Sequence, residues 1–412
     1  MPLDLQLHRI QKLLKLLKNP HHGPHFIHVA GTNGKGSVCS YISHILTEAG
    51  IKNGRFNSPH LVIPRDSIQI NNIPVSISLY EKCKAYINET NEKHKVGCTE
   101  FELLTCVAFQ VFAETETPIA IIEVGVGGRM DATNVIPAER TLVVGITKVA
   151  LDHQNLLGKT LAQIGYQKVG IFKEKVPAVI DGTNDDSVLQ VARNEARELQ
   201  CSLTATDPSS DCYIKPALLG DYQYDNLAVA LKMIDVLKCK GYNTLTEESI
   251  ENGVKATVWP GRLQMYNFDV QKIGLDDTQS VPILLDGAHN SQAAVELGKY
   301  LSSIRNKNGF IFVIAITKGK ELSELFKPII IGSDMVIFTQ FNEGIEGMPW
   351  IEPTSVDILK EQISAEEIDC KEVLTIPRVE DAIMEAILES RKSGRQIVVC
   401  GSLYLVADIL RL

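Results

Sequence analysis

A chain of 412 residues is too long for one ordinary hydrophobic core, and its length sets an expectation of two domains, or three. With 44% hydrophobic and 22% charged residues it reads as globular throughout. A net charge of −9 gives non-specific nucleic-acid binding no electrostatic support, so small molecules are the expected partners, with no nucleic acid and no membrane among them.

The first stretch, Met1 to Lys18, sets Leu3, Leu7, Ile10, Leu14 and Leu17 at helical spacing, with Lys12, Lys15 and Lys18 on other faces. It lacks the unbroken apolar segment and small-residue cleavage site of a secretory signal. Asp4 and the shortage of Arg and Ser count against an organellar leader. A cytoplasmic location is therefore expected, with a mitochondrial one left open. Nine cysteines without any Cys-x-x-Cys pair read as reduced, mostly buried residues and argue against structural zinc. No run approaches 18 uninterrupted apolar residues, so no membrane span is expected.

Phe26 to Ala30 is apolar and Val38 to Leu46 amphipathic, with Gly31-Thr32-Asn33-Gly34-Lys35-Gly36-Ser37 between them. The order is strand, glycine-rich loop, helix. Glycines let successive backbone N–H groups turn toward one anion, the helix start adds its positive end, and a lysine supplies a mobile charge. A nucleotide phosphate chain is the expected guest. The strict pattern G-x-x-x-x-G-K-[ST] fails twice, because position 29 is Val and Gly36 separates Lys35 from Ser37. A tight strand-to-helix turn is the alternative reading.

A helix over 37–49 and a strand at Asn53 to Phe56 lead into Asn57-Ser58-Pro59-His60, where Ser58 and His60 either face the loop or belong to an ordinary turn. The helical run Cys98 to Phe109 carries Glu100 and Glu102 at its start. Acids there can complement the helix dipole. Glu102 shares a face with Thr105, Cys106 and Phe109, so it is also expected to point inward, where a carboxylate needs a partner such as a metal ion.

Ile119 to Gly125 has the continuous apolar character of a parallel strand buried on both faces, and it enters the polar loop Val126 to Asn134. As a dinucleotide fingerprint this loop is weak, since it lacks the final glycine and no helix clearly follows. Leu142 to Thr147 reads as a further strand delivering Lys148 to His153. Lys168 lies in mostly uncharged surroundings, Pro177 to Asp181 reads as a strand, and 186–199 as a helix. A long helix begins near Gly220 with Asn226 in its first turn, where the amide caps the helix or reads a base edge.

Trp259-Pro260-Gly261-Arg262 marks the expected boundary, giving domains 1–259 and 260–412. The second α/β pattern places strands at Val281 to Leu285, Phe310 to Ile316, Met335 to Phe338 and Ile397 to Cys400, and helices near 291–303, 355–364, 379–391 and 403–411. Two of these strands end in polar clusters, 286–290 and 401–404. No internal repeat or low-complexity tract is present.

In this order and spacing, seven motifs resemble the dihydrofolate synthase and folylpolyglutamate synthase family, a branch of the Mur ligases. They are the loop 31–37, Ser58-Pro59-His60-Leu61, Thr99-Glu100-Phe101-Glu102, the stretch Glu123 to Asn134, Ala150-Leu151-Asp152-His153, Asp286-Gly287-Ala288-His289-Asn290 and Gly401-Ser402-Leu403-Tyr404. The resemblance implies an α/β fold: an N-terminal P-loop NTPase-like domain with a mostly parallel sheet, and a smaller C-terminal Rossmann-like domain that binds glutamate. It implies an ATP-dependent ligase that joins a pteroate or folate carboxylate to the amine of L-glutamate.

By the same resemblance, Thr32, Asn33, Gly34, Lys35, Gly36 and Ser37 hold ATP, with Asn226 as the adenine reader and Arg262 and Asp286 closing over the nucleotide from the second domain. Ser58, Glu102 and His153 look like Mg²⁺ ligands, and His289 lies near the reacting groups. Lys168 matches a lysine that the family carbamylates, although Gln167-Lys168-Val169-Gly170-Ile171 departs from the usual Glu-Lys-Ala-Gly-Ile. Gly128, Arg129, Asp131 and Asn134 are expected to shape the pterin pocket, and Ser402 and Tyr404 to meet glutamate. A monovalent cation is a further implied cofactor, and a monomer the expected state. Glu346-Gly347-Met348-Pro349-Trp350 resembles the dihydrofolate synthase branch, whereas folylpolyglutamate synthase and bifunctional enzymes are the alternatives. A non-enzymatic P-loop switch would leave Lys168 and the clusters at 286–290 and 401–404 without a use.

Overall fold

The computed structural model describes residues 6–275, 279–320, 322–342 and 351–412. The stretch 346–350 lies outside them. Two compact units form: residues 1–217 with 222–258, and residues 218–221 with 259–412. The short return of 218–221 to the second unit has no counterpart in the boundary expected at 259.

The first unit is built on eight strands: β1 (His25–Ala30), β2 (Asn53–Phe56), β3 (Ile68–Ile70), β4 (Ile73–Pro74), β5 (Ile119–Glu123), β6 (Thr141–Ile146), β7 (Ala178–Asp181) and β8 (Leu203–Thr206). Their order is β4-β3-β2-β5-β1-β6-β7-β8, parallel from β2 to β8 and antiparallel at the β3 and β4 edge. β5 and β6 are buried at every position, as strands covered on both faces must be. The chain leaves β1 toward β2 on one side and later reaches β6 on the other. The carboxyl ends of β5, β1 and β6 therefore open on a topological switch point, where α/β sheets hold ligands.

The second unit has six strands: β9 (Gln264–Phe268), β10 (Val281–Leu285), β11 (Phe310–Ile314), β12 (Met335–Phe338), β13 (Glu372–Thr375) and β14 (Gln396–Cys400). Their order is β13-β12-β11-β14-β10-β9, and only β9 runs antiparallel. The helices Ser291–Ile304, Val356–Ala365, Val379–Ser393 and Leu403–Arg411 fall near their expected places.

Several boundaries differ for local reasons. The helix after the glycine-rich loop starts at Lys35 rather than 37, because left-handed Gly34 is its N-cap. The helix expected near 220 runs Tyr222–Cys239. The N-terminal helix is His8–Leu16, seating Ile10, Leu13 and Leu14 in the core. No sequence signal was assigned to the helices Ile77–Lys93 and Glu247–Ala256 or to β3, β4, β8, β9 and β13, which are short or mixed in polarity. Among the described residues no helix is long and apolar enough to cross a membrane. All nine cysteines are free thiols.

Candidate active site

Backbone pairing and one buried lysine fix the loop after β1. Thr32 N and Asn33 N donate to Lys148 O, Ala150 N donates to Thr32 Oγ1, and Thr147 Oγ1 donates to Asn33 O at 2.7 Å. The loop is thereby stitched to the segment leaving β6, the next strand in the sheet. Gly34 sits at φ +92°, and a Cβ there would stand 2.0 Å from Asn226 Oδ1, so the loop closes beneath the first turn of the Tyr222–Cys239 helix only without a side chain. Gln223 completes that contact. Its amide accepts from Asn226 Nδ2 at 3.0 Å and donates to Ser37 Oγ at 3.4 Å.

Lys35 Nζ donates to Thr32 O at 3.1 Å and lies 3.7 Å from Glu123 Oε1. Glu123 closes β5 and is buried, and its Oε2 accepts from Asn57 Nδ2 at 2.7 Å. A carboxylate at the head of the helix and beside the loop lysine was not singled out from sequence, although it opens the matched stretch Glu123 to Asn134. Strand adjacency of β5, β1 and β2 brings it there.

Glu102 is buried, as its inward-facing position on the helix implies, and part of its carboxylate is engaged at the helix start. Arg9 Nε and Thr99 N both donate to its Oε2, at 3.0 and 2.6 Å, while Glu102 N donates to Thr99 Oγ1. This is a reciprocal capping box, and the signature Thr-x-x-Glu was readable in the sequence. Oε1 of Glu102 is buried with no hydrogen-bond partner among the described residues. Ser58 is half-buried on the turn after β2. His153 has a left-handed backbone, a side chain 47% exposed, and Asp152 Oδ2 at 4.0 Å. Among the described residues no three His, Cys, Asp or Glu side chains converge on one point.

Lys168 is buried on the helix Leu161–Val169 and donates to Gly31 O at 2.7 Å. Burial, then the charge of Lys35, lowers its pKa from 10.5 to about 7, while Asp152 and Asp131 oppose the shift. The ammonium and free amine are thus both populated at neutral pH.

The residues expected to shape a pterin pocket are largely engaged in holding their own loop. Arg129 Nη2 donates to Glu195 Oε1 at 2.9 Å, and its guanidinium lies 4.0 Å from the Tyr166 ring centre. Asp131 accepts from Val126 N, Thr133 N and Thr133 Oγ1, and burial raises its pKa. Asn134 donates to Arg129 O and Gly170 O and accepts from Lys173 Nζ at 2.6 Å. A Cβ on Gly128 would meet Gln167 O and Lys168 O at 2.8 Å each, so this glycine docks the loop on the helix that carries Lys168. The loop continues into a 3₁₀ turn, Ala132–Val135, rather than the helix of a dinucleotide fingerprint.

In the second unit, Asp286 ends β10. Its two oxygens accept from Leu263 N and Ala288 N, both at 2.8 Å, and burial raises its pKa against the opposing charge of Arg262. Arg262 Nη1 donates to Gly261 O at 3.1 Å. His289 Nδ1 is 2.8 Å from Gly287 O. A carbonyl only accepts, so Nδ1 carries a proton. Ser402 caps the last helix through Tyr404 N, and the Tyr404 ring lies 5.4 Å from that of Phe341. Burial pushes the Tyr404 phenol up to about 12.

A glycine-rich strand-to-helix loop with a lysine at its helix start, at the switch point of one mostly parallel sheet, in a chain whose second unit is a separate, mostly parallel sheet, is the arrangement of a two-domain ATP-dependent ligase. The sequence from 270 to 412 matches the family described as dihydrofolate synthetase, C-terminal domain. The chain is 41% identical to the dihydrofolate synthetase of Saccharomyces cerevisiae, across 100% of this chain and 98% of that protein. It is 30% identical to the dihydrofolate synthase/folylpolyglutamate synthase of Bacillus subtilis, across 98% and 94%. Its fold matches that of Mycobacterium tuberculosis folylpolyglutamate synthase complexed with ADP and AMPPCP with a TM-score of 0.82, at 25% identity and 98% and 94% coverage. E. coli FolC in complex with DHPP and ADP matches at 0.80, with 25% identity and 100% and 94% coverage. The chain belongs to the dihydrofolate synthase/folylpolyglutamate synthase family.

Proposed function

We propose that the protein joins the carboxylate of 7,8-dihydropteroate to the amine of L-glutamate, cleaving ATP to ADP and phosphate and producing dihydrofolate. The observation that carries this reading is the Gly31 to Ser37 loop with Lys35 and Glu123 at its head, in a chain alike along its whole length to a dihydrofolate synthetase. A carboxylate is inert to amines, so the acceptor's oxygen first takes the γ-phosphoryl group of ATP and becomes an acyl phosphate. The glutamate amine then adds to that carbonyl, and the tetrahedral intermediate expels phosphate.

In this scheme the N–H groups at the start of the Lys35–Glu48 helix face the phosphates. Lys35 follows the charge that spreads over the transferring oxygens. Asn226, held by Gln223, reads the adenine, and Lys168 pins the loop through Gly31 O. Its partly neutral amine also suits carbamylation by CO₂, with loss of a proton, which intact-mass measurement under bicarbonate tests.

Mg²⁺ fits the donor set. It favours oxygen and is usually held by one or two carboxylates together with substrate phosphates, and Glu123, Ser37 and Ser58 supply a carboxylate and two hydroxyls. We place Glu123 rather than Glu102 in that role, because Lys35 lies beside Glu123 while the capping box and Arg9 hold Glu102. When bound, the ion neutralises phosphate charge during transfer. His153, on the segment after β6, remains a candidate Mg²⁺ ligand, Arg262, Asp286 and His289 remain the second unit's nucleotide candidates, and Ser402 and Tyr404 its glutamate candidates.

The test is ADP release by the purified protein with L-glutamate, comparing dihydropteroate with tetrahydrofolate. Turnover only with tetrahydrofolate moves the reading to folylpolyglutamate synthase, which the 30% identity to a dual-named relative makes the second reading. Turnover with both makes the enzyme bifunctional. A monomer in light scattering and a cytoplasmic pattern for a tagged chain are the expected accompanying results.

A further inference from the structure

Asn57 is a buried side chain that the reaction scheme leaves without a part, and we propose that it is a positioning residue for Glu123. The inference rests on the reading above that Glu123 is the carboxylate of the ATP site. Asn57 Nδ2 donates to Glu123 Oε2 at 2.7 Å, and both side chains are more than nine-tenths buried. Since an ionised carboxylate only accepts, this contact fixes which end of the amide faces Glu123.

The setting explains why an amide stands here rather than a further cation. Lys35 Nζ already lies 3.7 Å from Glu123 Oε1, and the charge of Arg55, buried two residues before Asn57, acts on the same carboxylate. Arg55 is itself drawn off to Gln69 Oε1. A neutral donor fills Oε2 without adding positive charge, so the carboxylate keeps its orientation and its net attraction for a cation. Backbone bonding makes the amide a rigid support: Asn57 N donates to Ser67 O at 3.0 Å, at the head of β3. The next residue is Ser58, so one turn aims both a hydroxyl and the donor that steadies Glu123.

Outer partners of this kind typically contribute 10–100-fold to metal affinity or activity. The test uses the full-length protein and a fluorescent ATP analogue titrated with and without Mg²⁺, alongside steady-state ADP release. Asn57→Ala is expected to weaken Mg²⁺-dependent analogue binding 10–100-fold and raise KM for ATP more than it lowers kcat. Asn57→Gln, which retains an amide donor, is expected to recover part of that loss. In a Glu123→Gln background, Asn57→Ala is expected to add less than twofold, because the group it acts on has been altered. Analogue binding by Asn57→Ala within twofold of the parent, or an undiminished Asn57→Ala effect in the Glu123→Gln background, overturns the positioning role. Normal binding and turnover by Glu123→Gln alone instead overturns the placement of Glu123. Melting curves identify a variant that fails to fold, and in that case Asn57→Leu, of similar size and without the donor, carries the comparison with the same outcomes.

Discussion

Replacing Gly34 by alanine tests how the loop is built. Gly34 occupies φ +92° and ψ −12°, a left-handed conformation that costs an L-residue roughly 1–2 kcal/mol. The new Cβ would also stand 2.0 Å from Asn226 Oδ1 and 2.9 Å from its Cγ, inside a buried contact that Gln223 holds in place. Overpacking of that kind costs typically about 1–3 kcal/mol, so Gly34→Ala should destabilise the first unit by roughly 2–5 kcal/mol. At about 2–4 °C per kcal/mol for a unit of this size, its Tm should fall by roughly 4–20 °C. Differential scanning calorimetry measures the fall, and titration of a fluorescent ATP analogue should show weakened binding in the same sample. Gly34→Ala with Asn226→Ala removes the clash but keeps the backbone strain, so it should regain part of the lost stability. A single variant melting within about 1 °C of the parent, or a double variant no more stable than the single, would refute the reasoning.

Lys35→Ala and His153→Ala are expected to abolish ATP-dependent glutamate incorporation while circular dichroism stays native, with radiolabelled glutamate as the readout. Glu123→Gln and Glu102→Gln should separate: the first should lose at least about tenfold in kcat/KM, a partner-scale effect, whereas the second should mainly lower Tm, since it weakens a helix cap and the contact with Arg9. Acid should destabilise the first unit in a window set by its buried histidines. Burial and the charge of His22 lower the His21 pKa from 6.5 to about 4, and burial lowers that of His28. The unfolded chain then binds more protons below pH 6.5, so stability is complete above that pH and drains away as it falls toward 4. His21→Phe should flatten that slope in denaturant titrations run from pH 7 to 4, and an unchanged slope would contradict the assignment.

Much of the glycine-rich loop could be read directly because its information is local. An apolar run, glycines at the turn, a lysine and a hydroxyl at the helix start specify strand, loop and helix within a dozen residues. Lys168 was also visible, as a lysine among mostly uncharged neighbours. The inward face of Glu102 and its Thr99-x-x-Glu102 capping pattern were both legible, and the structure has both: the side chain is buried and closes a capping box. Glu123 had no local signal of its own, because its neighbours Lys35 and Asn57 come from other strands and loops. The partners of Arg129, the Tyr166 ring and Glu195, are likewise contacts that only the fold shows.

The sequence by itself determined the alternation of strands and helices, the glycine-rich turn and the family, because these follow from short-range periodicity, backbone freedom and motif order. The tertiary structure decided which polar groups share a site. β5 lies between β1 and β2 although it follows both in the chain, and that adjacency brings Glu123 to Lys35 and Asn57. Strand neighbours in a parallel sheet are set by where the crossover helices can pack, a property of the assembled layers that no local window contains.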